Sequence, residues 1–283
     1  PQTSQVVSTW DSASLGEVII TDLVVRAAIV YVATADNGIL RIDMTTATLL
    51  SPWISTGLDN LDDMPITAAN GNVFLGLYDF GVMVLNQSTG ELVDLWQDSG
   101  TNIQTIPNNA ITALHADMYG NIYVGTQEGG VRWDTAGGWT DIPVEQGGSG
   151  WGGSWYYDDF RSFDSDSNWL WAAFGEARIC RWDLNTLQGG TGSNCFDEDD
   201  GLPGEDYSYT RVRYVAQDRI LITSDDGAMI FDTVNETVEG SWDIGQETLN
   251  AVTAQIDDIV YAAYIGIGVT RFDISTSSWL SSW

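Results

Sequence analysis

The side chains best suited to recognising a ligand crowd one stretch of this chain. Gly148-Ser-Gly-Trp151-Gly-Gly-Ser-Trp155-Tyr156-Tyr157-Asp158-Asp159-Phe-Arg161 sets four flat rings beside carboxylates and a guanidinium on a glycine-rich backbone. Such rings stack on sugars or apolar side chains, while the charged groups fix orientation. Further along, Glu205, Asp206, Tyr207, Tyr209 and Arg211 repeat the mixture. Two such segments side by side would form a patch for a protein or a glycan. The competing reading is ordinary packing beneath a solvated rim.

Asp164-Ser-Asp166-Ser-Asn168 alternates oxygen ligands as a calcium loop does. It departs from an EF-hand in two ways. Trp169 stands where the sixth-position glycine belongs, and Glu176 falls at position thirteen instead of twelve. Asp197-Glu-Asp-Asp200 is a second acidic cluster. Ca2+ is the one cofactor these residues suggest; a plain turn and a solvated acidic loop are the alternatives.

Signatures of catalysis are sparse. The single histidine, His115, sits inside a strand-like pattern and reads as structural. There is no Gly-x-Ser-x-Gly elbow and no phosphate loop. Carboxylate pairs can hydrolyse glycosides. With 40 acidic residues, however, a chance pair is expected.

The elements that must position these groups follow from a repeat. A run ending in an acidic or amide residue recurs at Asp43, Asn86, Asp134, Asp183, Asp232 and Asp273, at intervals between 41 and 49 residues. The clearest unit reads Ala110-Ile-Thr-Ala-Leu-His-Ala, then Asn121-Ile-Tyr-Val-Gly-Thr, then Gly129-Gly-Val-Arg-Trp-Asp, then Trp139-Thr-Asp-Ile. These are four short β-prone runs separated by turn residues. Trp10, Trp53, Trp96, Trp139, Trp242 and Trp279 form what reads as one fourth-strand series, with Phe196 standing in once. Four strands per unit at this period predict an all-β chain, a β-propeller of four-stranded antiparallel blades. Six repeats predict six blades over residues 1–283, with seven as runner-up. Val6-Val-Ser-Thr-Trp10 resembles an outer strand, so either strand exchange closes the ring or the chain is a segment of something longer.

Net charge is −30, with ten arginines and no lysine, which excludes a nucleic-acid binder working through a basic face. No apolar run is long enough for a spanning helix. Cys180 and Cys195 fall on the third and fourth strands of one unit, where a cross-strand disulfide can form, and with it an oxidising compartment is expected. Two N-x-S/T sequons, at Asn86 and Asn235, permit glycosylation without showing it.

The unit Ala110-Ile-Thr-Ala-Leu, Asp117, Gly120-Asn-Ile-Tyr-Val-Gly-Thr126 and Gly130-Val resembles the repeat of two-component-regulator-type propellers, as does Asp200-Gly-Leu-Pro203 before the fifth unit. The resemblance implies a propeller that senses or binds outside the cell. Its motif residues are architectural and carry no catalytic group. The expectation is therefore a non-catalytic extracellular or cell-surface binding or scaffold module. Its partner would be a protein or a glycan, with self-association as a further option. The alternatives are a glycan-active lyase or hydrolase, and a purely structural surface-layer or filament module.

Overall fold

The computed structural model describes Leu15 and residues 18–35, 37–53, 64–98, 105–144, 159–175, 178–190, 194–200, 202, 209–216, 218–224, 227–243, 251–256, 258–264, 268–276 and 278–280. Among these residues the chain forms six four-stranded sheets, each built from consecutive strands in simple order. Blade one is β1 to β4 (Ile20–Arg26, Ile29–Thr34, Gly38–Asp43, Thr48–Trp53), and blade two is β5 to β8 (Ile66–Ala69, Asn72–Leu77, Gly81–Asn86, Leu92–Trp96). Blade three is β9 to β12 (Ile111–Ala116, Ile122–Thr126, Gly129–Trp133, Trp139–Ile142). Blade four is β13 to β16 (Phe160–Ser165, Trp169–Phe174, Arg178–Asp183, Cys195–Phe196). Blade five is β17 to β20 (Tyr209–Ala216, Arg219–Ser224, Gly227–Asp232, Thr237–Asp243). Blade six is β21 to β24 (Ala251–Ile256, Ile259–Tyr264, Gly268–Asp273, Ser278–Leu280). The chain is an all-β propeller of antiparallel blades. The strand proposed for Val6–Trp10 lies outside the described residues.

The burial of each strand follows its place in the blade. Second strands are mostly apolar: β6, β10, β14 and β18 are buried almost end to end. A mid-sheet strand has both faces against neighbouring blades, so alternation disappears from its sequence. The fourth strand β8 is exposed along nearly its whole length. Five apolar clusters fill the junctions between consecutive blades. The largest lies between blades three and four around Tyr123, Phe160, Phe163 and Trp182. On blade one, the face turned away from blade two carries a smaller cluster of Leu15, Val32, Leu40 and Ile42.

The recurring acidic residue that ends each third run has a local cause. Asp43, Asn86, Asp134, Asp183, Asp232 and Asp273 each accept backbone N–H groups two to four residues ahead, at 2.7–3.3 Å. Each side chain closes the hairpin into the fourth strand, as Asp and Asn do in turns generally. Much of the repeat's acidity is therefore turn chemistry.

The tryptophan series is a correction. Trp53, Trp96, Phe196 and Trp242 pair with the second residue of the third strand. Trp139 and Trp279 pair with the fifth, at the opposite end of the hairpin. In blade three the residue equivalent to Trp96 is Ile142, opposite Gly130. Equal spacing in sequence masks two positions because the turns between strands differ in length.

Cys180 and Cys195 are direct cross-strand neighbours of β15 and β16 and are joined in a disulfide, with Cα atoms 4.1 Å apart. Among the described residues, no helix is long and apolar enough to cross a membrane.

Candidate functional site

The first strands of blades one to five face a common cavity. Together β1, β5, β9, β13 and β17 line a cavity of about 310 Å³. This lies at the small end of ligand pockets, which span roughly 300–1,000 Å³.

Strand register sorts the first-strand residues into two layers. Asp22, Ala113, Ser162 and Arg211 occupy one equivalent position, opposite Ala33, Gly125, Ala173 and Thr223 of the second strands. Two residues on, Val24, Thr67, His115, Asp164 and Arg213 form the next layer, opposite Tyr31, Phe74, Tyr123, Trp171 and Leu221. Spacing by two keeps each pair on one side of its strand. The repeat accepts Ala or Val at these positions, so the charged residues there are additions to the architecture.

The carboxylates are already engaged. Asp22 accepts the N–H of Ile66 on the next blade at 3.0 Å and that of Leu23 at 2.9 Å. Asp164 accepts Tyr214 N–H at 2.8 Å and Ser165 N–H at 2.9 Å. Ser162 Oγ accepts Val212 N–H at 2.7 Å. These bonds stitch neighbouring first strands, which belong to different sheets and share no ladder. His115 Nε2 lies 2.8 Å from Ser165 Oγ, and its Nδ1 lies 3.9 Å from Asp164. Burial lowers the His115 pKa, opposed by Asp164 and Asp117, so the imidazole is neutral near pH 7.

The guanidinium groups are less well matched. Arg211 approaches Asp22 at 3.8 Å, beyond hydrogen-bond range. The buried Nε of Arg213 has no acceptor among the described residues. Arg26 stands exposed at the end of β1, also on the cavity wall.

The residues read from sequence are distributed differently. Trp151, Trp155, Tyr156, Tyr157, Asp158, Asp206 and Tyr207 lie outside the described residues, as does the side chain of Tyr209. Arg161 is ion-paired with Asp159 at 2.6 Å. Burial raises the pKa of Asp159, and Arg161 opposes that rise. Arg211 does not belong to a rim loop. β17 begins at Tyr209, which places Arg211 inside the first strand and in the cavity. Asp164 likewise lines the cavity. Asp166 caps the β13–β14 turn through Asn168 and Trp169 N–H. Among the described residues, no three His, Cys, Asp or Glu side chains form a metal-holding group. The calcium reading of Asp164, Asp166 and Asn168 thus gains no support from the geometry. Sequence reasoning missed Asp22, Ser162 and Arg213. The available signal was polar residues at a position that other units fill with Ala or Val.

A ring of four-stranded blades around a polar channel defines the class: a β-propeller. Solved structures similar to it include U3-55K (13% identity, TM-score 0.70, covering 94% of this chain and 82% of that one) and the RRP9 WD40 repeats (12%, 0.69, 94% and 81%). Another is the extracellular domain of the putative one-component system BT4673 from B. thetaiotaomicron (18%, 0.62, 89% of this chain and 32% of that one). At these identities the likeness concerns the fold. Neither a protein-family profile nor a curated protein sequence matches the chain.

Proposed function

We propose that this chain is a non-catalytic extracellular binding module, with a protein or glycan partner docking on one face of the disc. The observation that carries this reading is the state of the channel's polar groups. Both carboxylates are held by backbone amides and the histidine is neutral and hydrogen-bonded. That arrangement commits these groups to holding the first strands in place, which suits a channel that recognises and orients. The disulfide supports an oxidising location. The similarity in fold to the extracellular domain of a putative one-component system agrees with it. The rim segment from Trp151 to Arg161, together with Asp206, Tyr207 and Tyr209, supplies the docking surface.

A screen of the purified chain against a glycan array and candidate surface proteins tests this, with Trp155→Ala and Tyr157→Ala compared on any hit. The reading predicts at least a tenfold loss of affinity in either variant with an unchanged melting temperature. Equal affinity would remove the rim from the site.

One observation favours a second reading, a glycan-active enzyme: His115, Asp164 and Arg213 come from three consecutive blades at one level of the channel. Incubation with uronate-containing and neutral polysaccharides, followed by chromatography for shortened products, decides between the two.

A further inference from the structure

We infer that the central channel is a binding site for a small hydroxylated monocarboxylate, gripped by Arg211 and Arg213. This inference extends the binding-module reading to a site that the rim does not include.

The argument begins with supply and demand among charges. The chain has ten arginines, no lysine and a net charge of −30. Even so, three arginines, Arg26, Arg211 and Arg213, line one cavity. Arginine presents a planar fork of donors that matches a carboxylate with two parallel hydrogen bonds. Arg211 and Arg213 sit two residues apart on β17, so both forks enter the channel from one wall. Neither makes a hydrogen-bonded carboxylate pair among the described residues. Asp22 stays at 3.8 Å from Arg211, and the Arg213 Nε is buried without an acceptor. A buried donor left unmade costs free energy. An incoming carboxylate would complete both forks.

The charge of the ligand follows from the same residues. Asp22 and Asp164 balance two of the three arginines, so the site carries about one net positive charge. A monoanion neutralises it, whereas a phosphate dianion would face Asp22 and Asp164 uncompensated. Thr67, Ser162 and His115 add hydrogen-bonding groups around the cavity, which suit hydroxyls on the same molecule. The volume suits a ligand of monosaccharide size.

Calorimetric titration of the full chain with sodium glucuronate, sodium acetate, glucose and inorganic phosphate tests the inference. Arg213→Met, Arg211→Met and wild type are compared, with melting temperature as the folding control. The expected result is saturable binding of glucuronate, weaker binding of acetate and none of glucose. Each arginine variant should lose at least tenfold in affinity while melting within a few degrees of wild type. If a variant fails to fold, competition of glucuronate binding by acetate in wild type stands in for it. Tighter binding of phosphate than glucuronate overturns the inference, as does equal binding of glucose, or no carboxylate binding in wild type. A rim partner that survives both arginine substitutions would leave the binding-module reading standing while the channel site fails.

Discussion

Asp117 is where the repeat motif can be tested most directly. The residue is 6% exposed, and its carboxylate accepts four hydrogen bonds: Tyr119 N–H at 2.8 Å, Asn121 N–H at 2.9 Å, Asn121 Nδ2 at 2.8 Å and the Tyr123 hydroxyl at 3.0 Å. Tyr123 is fully buried, and that burial, with Asp117 beside it, raises its pKa far above the usual tyrosine value. Asp117→Ala strips the hydroxyl and the turn amides of their acceptor at once. Hydrogen bonds to a charged group are worth about 1.5–3 kcal/mol each, but donors at the turn can turn to water. Counting the buried hydroxyl and one amide in full gives about 3–6 kcal/mol, a large share of the ~5–15 kcal/mol typical of a folded domain. Asp117→Asn keeps one oxygen for the amides and sets an NH2 against Asn121 Nδ2, for about 1–2 kcal/mol. Urea unfolding followed by tryptophan fluorescence measures both variants. A double-mutant cycle with Tyr123→Phe isolates the hydroxyl's part, expected at about 1–2 kcal/mol of coupling. A loss below about 0.5 kcal/mol for Asp117→Ala, the level of a surface substitution, would refute the reasoning. So would a Tyr123→Phe cost that is the same with and without Asp117.

The disulfide closes a connection of sequence separation 15, so Cys180→Ala/Cys195→Ala should cost about 3 kcal/mol in the loop-entropy picture. Reductant should shift wild type toward the variant in urea and leave the variant unmoved; no shift would show the bridge to be idle. The turn-capping carboxylates Asp43, Asp183, Asp232 and Asp273 have pKa values below their ordinary level of 3.8, chiefly through hydrogen bonds from Thr45, Thr186, Asn235 and Ser275 respectively. A folded pKa below the unfolded one stabilises above the unfolded value and loses that contribution as pH falls through the folded value. Stability from these four should hold from neutrality to the usual carboxylate range and decline below it. Replacing all four by Asn, which already caps this turn at Asn86, should flatten that acid limb, and an unchanged limb would assign acid unfolding elsewhere.

The blade order was legible because the turn chemistry is regular. The side chain that ends each third run also caps the hairpin, so its period is the period of the blades. Second strands were legible as apolar runs, since both of their faces are covered. The outer strands were less so. Their tryptophans recur at equal spacing yet occupy two registers, because spacing counts turn residues that register ignores. The channel was hardest to see. Asp22, His115, Asp164 and Arg213 lie on four different blades and become neighbours only when the ring forms, and no local pattern records that.

The channel also explains why loop composition was an incomplete guide. Aromatic-acidic segments attract notice because they are locally dense, whereas a propeller's axial site draws about one residue from each blade. Its signal is therefore a departure from the repeat at an equivalent position. At the level where blade one has Val24, blades three, four and five place His115, Asp164 and Arg213. Asp164 is the instructive member. As one oxygen among alternating ligands it suggested calcium, yet its carboxylate holds Tyr214 N–H of the next blade. An aspartate held that way fixes the spacing of two first strands, and it offsets nearby positive charge without a hydrogen bond to the guanidinium groups. The bonds that join these neighbouring first strands thus engage the channel's carboxylates through backbone amides and leave the guanidinium donors to a ligand.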